Sequence, residues 1–216
     1  MIDLVPDWMF VKGLVIGFLI AAPVGPINVL CVRRTLIHGR LAGLASGLGA
    51  AAADTMFGAI AAFGVLFIVD LFIAHHTELG LAGAAFLLVV GVRTLVRPPP
   101  TLVTERDPAG LIADFTSTFL LTLTNPITIF SFIGVYIAFG IKTDGRIDLN
   151  DWLLLLGVFL GSCTWWLLIT SAAAFYRTRF TNSGLKWANR VAGIIILGFA
   201  IFLFYESFVG RSPVVG

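Results

Sequence analysis

The sequence predicts an all-α integral membrane protein: six transmembrane helices forming two inverted three-helix repeats, with the first and fourth helices broken. Three observations carry this prediction. Hydrophobic residues make up 58% of the 216-residue chain and charged residues 12%, whereas soluble domains are about a quarter charged. The hydrophobic residues fall into six long runs, and two of those runs are interrupted by proline at matching places. A mean hydropathy of +0.99 means more apolar surface than one water-soluble core of this length can cover. That excludes a cytosolic enzyme, a nucleic-acid-binding protein and a disordered tail. The net charge of +2 gives nucleic acid little to hold.

The runs place spans at 9–32, 41–69, 79–97, 111–140, 152–176 and 187–209, close to or above the roughly 20 apolar residues that cross a bilayer. They lack the polar/apolar alternation of an outer-membrane barrel. The first run follows Asp3 and Asp7 rather than a basic cluster and is too long for a signal peptide, so it is expected to stay as a helix. Arg97-Pro98-Pro99-Pro100 opens a linker of prolines and charges. The expected organisation is a first repeat over 1–97, a Pro-rich linker over 98–110, a second repeat over 111–209 and a C-terminal tail over 210–216.

The halves match in order. Pro26-Ile27 corresponds to Pro126-Ile127 at an offset of 100, Gly49 and Asp54 to Gly161 and Trp166 at 112, and Leu81-Ala82-Gly83 to Val191-Ala192-Gly193 at 110. After three spans the chain is on the opposite side, so the second copy enters upside down. Inverted repeats of this kind are the framework of alternating access in secondary transporters, although a channel or membrane enzyme is also compatible. Basic residues set the orientation. Arg33, Arg34, Arg40, Arg93, Arg97, Arg106, Arg177, Arg179, Lys186 and Arg190 follow spans one, three and five, against Lys12, Lys142, Arg146 and Arg211 on the other side. The positive-inside bias then puts both termini outside the cytoplasm, with Trp8, Trp152 and Trp187 at the interfaces.

Chemistry is expected at the breaks. Ala22-Pro23-Val24-Gly25-Pro26-Ile27-Asn28 cannot continue a helix, because two prolines remove donors and clash backward. Gly25-Pro26, and more strongly Thr124-Asn125-Pro126, suit the cap and first residue of a new half-helix. Such N-termini attract anions such as carboxylates, while a plain proline kink is the simpler alternative. Two breaks at equivalent places favour one shared site, assigned to Pro23, Gly25, Pro26, Asn28, Asn125 and Pro126, with Trp166 as a cavity wall. Asp54 reads as the sole acidic residue deep inside a span. Mid-membrane carboxylates cost roughly 2.5–3.5 kcal/mol on insertion scales and often relay protons, so Asp54 is the expected proton-coupling residue.

Gly39, Gly43 and Gly47 recur every four residues, as do Gly157 and Gly161. Small residues at this spacing let helices approach closely, so Gly43, Gly47, Gly157 and Gly161 are assigned to helix packing. Trp165 beside Trp166 either walls the cavity or fills space. Cys31 and Cys163 lie in separate runs without CxxC spacing, the pattern of buried, inert thiols. His38, His75 and His76 are expected in loops, and no metal-ligand cluster or cofactor motif is evident.

Taken together, Pro23-Val24-Gly25-Pro26, the glycines from Gly39 to Gly49 with Asp54, Asn125-Pro126, and Gly161 with Trp165-Trp166 resemble the lysine exporter family of amino-acid efflux translocators. The likeness runs from about residue 9 to residue 208 and rests on the ordered set. Val24 separates Pro23 from Gly25, and Ile127 follows Asn125-Pro126 where many members carry lysine. The resemblance implies a plasma-membrane exporter of amino acids or related small metabolites, working by proton exchange, with the lipid bilayer as its setting and a homo-oligomer compatible. The alternatives are a divalent metal cation exporter, and a thiol–disulfide electron conduit through Cys31 and Cys163.

Overall fold

The computed structural model describes residues 6–23, 25–63, 74–96, 107–141, 148–177 and 182–209. Among these residues the chain is all helix, without strands. Eight helices follow in order: α1 (Pro6–Ala21), α2 (Pro26–His38), α3 (Arg40–Ala62), α4 (His76–Val96), α5 (Pro108–Leu123), α6 (Pro126–Ala138), α7 (Leu149–Arg177) and α8 (Asn182–Val209). By length and apolarity α3, α4, α7 and α8 can each cross a bilayer, and α1 with α2 qualifies as a fifth, bent crossing.

Local chemistry accounts for the helix ends. Asp107 caps α5 by accepting from the Gly110 amide at 2.8 Å. Asp148 caps α7 by accepting from the Asn150 and Asp151 amides, while Asp151 accepts in return from the Asp148 amide at 3.0 Å, a reciprocal capping box. Gly140, at φ +63°, ends α6, with the Ile141 amide donating to the Tyr136 carbonyl at 2.9 Å, the closure of a Schellman turn.

The helices interlock through their glycines. A Cβ on Gly13, Gly17, Gly157 or Gly161 would overlap backbone of the facing helix, so α1 and α7 lie backbone against backbone. Gly49 does the same for α3 against Phe115 of α5. Gly43 lies against the Thr35 side chain and Gly47 against the Trp166 ring, and α4 packs along α8 with Gly91 and Gly193 under leucine side chains. Ile16, Phe57, Phe132, Tyr136, Leu154 and Val158 fill the centre of the α1–α3–α6–α7 contact.

The first inter-span loop requires correction. Residues 33–38, expected as loop, continue α2, and the turn to α3 is the single residue Gly39 at φ +93°. His38 accordingly ends a helix. Arg34, expected as a loop charge, is buried: its Nε donates to Asp114 Oδ1 at 3.1 Å across to α5. Asp54 is therefore not alone as a buried acid. Hydropathy scores each charge separately and ends a span at it, whereas the pair satisfies itself inside the fold. Val24, the end of the second expected span (64–69), residues 97–106 of the first repeat's end and the linker, and the tail at 210–216 lie outside the described residues, as do Asp3, Lys142, Arg146, Arg179 and Arg211.

Candidate functional site

At the first break α1 ends at Ala21 and α2 starts at Pro26, with the helix axes turned by 81°. Gly25 is extended (φ −137°, ψ −178°), and no side chain caps the first turn of α2. Asn28 straps the break: its Nδ2 donates to the Ala21 and Pro23 carbonyls at 3.2 and 2.9 Å. Its Oδ1 accepts from Trp165 Nε1 at 2.8 Å. Carbonyls left without helical partners where α1 ends thus recover a donor inside the fold. At the second break the Thr124 amide donates to the Leu120 carbonyl and the Asn125 amide to that of Thr122 before α6 starts at Pro126.

Both breaks border one cavity of about 240 Å³. Pro23, Gly25, Pro26, Asn28, Asn125, Trp166 and Asp54 all line it, so the folded chain gathers residues spread over more than half of the sequence. The Pro126 side chain lies outside the described residues. Asp54, 4% exposed, sits within α3. Ser162 Oγ donates to its Oδ2 at 2.8 Å and accepts from Trp166 Nε1 at 3.1 Å. A hydrogen-bonded chain from Trp166 through Ser162 to Asp54 therefore joins α7 to α3. Trp165 stands behind the lining, edge-on to Phe18 with ring centres 5.5 Å apart.

Sequence reasoning missed the hydroxyl contributors. Thr122, Thr128 and Ser131 line the cavity between and beyond the breaks, and Ser162 lies one helical turn before Trp166, a spacing that could have pointed to it. It also missed the Arg34 cluster, where Nη1 donates to Ser46 Oγ, the Asp114 carbonyl and Thr118 Oγ1, and Nη2 to Ser117 Oγ, each at 2.8 Å. A second cavity of about 290 Å³ lies between α2, α7 and α8 and shares Asn28. Its other lining is mostly aliphatic, with Arg33 and Asn189 as the polar members. Cys31 and Cys163 carry no disulfide and belong to one apolar cluster with Trp166.

A bundle of apolar helices, one crossing bent at a break, around a cavity with a buried carboxyl belongs to a multi-pass membrane transporter rather than an enzyme. Residues 18–207 match the LysE type translocators, and the chain belongs to that family. It is 28% identical over 212 residues to "Putative amino acid efflux protein YcgF" of Bacillus subtilis, covering 96% of this chain and 99% of that protein. It is 27% identical over 185 residues to the uncharacterized membrane protein YahN of Escherichia coli, covering 83% and 82% of the two chains. Ycf78 of Oltmannsiellopsis viridis, an uncharacterized membrane protein, is 26% identical over 211 residues, 90% of this chain but 25% of that protein. No solved structure matches the chain.

Proposed function

We propose that this translocator exports amino acids or related small metabolites in exchange for protons, by alternating access around the cavity between the two breaks. The observation that carries the reading is the convergence of both helix breaks and Asp54 on a single cavity. The uncapped first turn of α2 offers amide donors and a positive dipole end to a carboxylate. Asp54 offers a carboxyl to an ammonium group or a proton. A proton and an ammonium compete for that carboxyl, so each lowers affinity for the other, the minimum coupling that exchange requires. The name of the Bacillus subtilis relative supports the same substrate class.

Six spans in two inverted repeats complete the proposal, with both termini outside the cytoplasm and residues 98–110 as the linker between halves. Packing supports the repeat. α1 lies on α7 as α5 lies on α3, and α4 lies on α8. Gly161 meets the backbone of Leu14, and its expected counterpart Gly49 meets that of Phe115. The two contacts are one contact repeated under the offsets of 112 and about 100 seen in the sequence. The rocking of one repeat against the other would then expose the cavity to each side in turn.

The test is flux in proteoliposomes. Asp54→Asn keeps the size and an acceptor for Ser162 while removing ionisation. It is expected to lose export driven by a pH gradient and, without the carboxylate that meets the ammonium, to slow exchange as well. Uphill export at the wild-type rate by Asp54→Asn would place the coupling elsewhere.

A further inference from the structure

The lining of the cavity divides by helix into polar and apolar contributors. Asp54, Asn28, Asn125, Thr122, Thr128 and Ser131 gather the polar atoms. The rest of the wall is Pro23, Gly25 and Pro26 of the first break, Ile20, Ala21, Ile27, Ala50 and Trp166, with three residues of α8, and everything α8 contributes is apolar: Phe199, Phe202 and Leu203. Among the described lining residues Asp54 is the one charged side chain. A further space of about 20 Å³ shares Pro26, Ile27, Asn125 and Leu203 with the cavity and is bounded by Gly83, Leu87, Leu121 and Thr124.

We propose that the transported substrate is a zwitterionic α-amino acid with an uncharged, apolar side chain of leucine or methionine size, seated with that side chain against Phe199, Phe202 and Leu203. The inference rests on the amino-acid reading above and narrows it. In an α-amino acid the ammonium and carboxylate are attached to the same carbon, so both engage the polar residues together. The ammonium faces Asp54 and the carboxylate faces the α2 amides and the hydroxyls. This uses the one charged side chain among the described lining residues. A lysine side chain would bring a second cation against the phenylalanines with no second acid, and a glutamate side chain would bring an anion with no cation. Burying a charge without a partner is strongly unfavourable, whereas a branched aliphatic or thioether chain gains by leaving water. Serine fits the polar residues but leaves the α8 face empty. Missing methylenes in a hydrophobic pocket lower selection by about 10–200-fold each.

The experiment is uncoupled exchange, which does not depend on the proton step. Purified protein in proteoliposomes loaded with one unlabelled amino acid is assayed for uptake of the same amino acid in radiolabelled form. L-leucine, L-methionine, L-serine, L-lysine and L-glutamate are compared. Leucine and methionine are expected to exchange at least on the order of 100-fold faster than lysine or glutamate, the penalty expected of an unpaired buried charge. Leu203→Asp, which adds an acid among the apolar residues of α8, is expected to shift preference from leucine towards lysine. Phe199→Ala serves as a second variant and is expected to lower leucine exchange more than serine exchange. Wild-type exchange of lysine or glutamate as fast as leucine overturns the proposal and leaves amino-acid export standing. Absence of exchange for all five amino acids overturns both readings.

Discussion

The buried ion pair between Arg34 and Asp114 permits a quantitative test of how the helices beside the two breaks are tied together. Arg34 belongs to α2, which follows the first break, and Asp114 to α5, which precedes the second. The side chains are 10% and 4% exposed. The guanidinium meets Asp114 Oδ1, three hydroxyls and one carbonyl, all within 3.1 Å. Asp114→Leu takes the carboxylate from the buried guanidinium, and Arg34→Met takes the guanidinium from the buried carboxylate. Breaking one side of such a pair costs about 3–5 kcal/mol. Replacing both with apolar residues is often neutral or stabilising, so Arg34→Met with Asp114→Leu is expected within about 2 kcal/mol of the parent. The double-mutant cycle then yields a coupling of several kcal/mol, far from additivity. Unfolding by SDS in mixed micelles, followed by tryptophan fluorescence, measures all four corners. Single variants costing under about 1 kcal/mol each, with additive effects, would mean a solvated pair and would refute the argument.

Other outcomes follow from specific contacts. A Cβ at Gly25 would approach only the Pro23 carbonyl, at 4.0 Å, and the backbone there is extended. Gly25→Val is therefore expected to fold normally yet impair transport by filling the cavity, whereas normal flux would reduce the break to a kink. Gly161→Ala places a methyl group into the Leu14 backbone and is expected to lose about 1–3 kcal/mol, as overpacking does. Gly134→Ala and Gly198→Ala, with nothing within 4 Å, are expected to be near neutral in the same melts. Asn28→Ala removes the donor that two carbonyls share and is expected to destabilise by about 1–3 kcal/mol, measured by thermal unfolding in detergent. For orientation, cysteines at Arg40 and Lys186, in a background lacking Cys31 and Cys163, are expected to resist an impermeant label in intact cells, while those at Asp144 and Arg211 react. Labelling at position 40 would invert the topology.

Composition and order alone determine the solvent in which this chain lives, the helical class, and the positions of both breaks. Lipid leaves helices few competitors, since unsatisfied backbone groups are so costly there. Pro23, Pro26 and Pro126 interrupt a helix interior, because each lacks an amide donor and clashes with the preceding turn, and can sit only in a first turn. Asp54 was legible for the same reason: a carboxyl in a run of alanines and glycines has no apolar explanation. The glycines at 157 and 161 announced close packing, but their partner could not be read, because one small-residue stripe fits any helix face. Only the fold assigns Gly157 to the backbone of Phe10, Gly13 and Leu14, and Gly161 to that of Leu14, all in α1. Tertiary structure likewise decided that Arg34 belongs inside, that Asn28 is spent on holding the first break, and that Ser162 bridges Trp166 to Asp54. Hydropathy sums properties of single residues, whereas burying a charge or an amide depends on a partner that lies 80 or more positions away for Arg34 and 108 for Asp54. That partner exists only once the helices have packed.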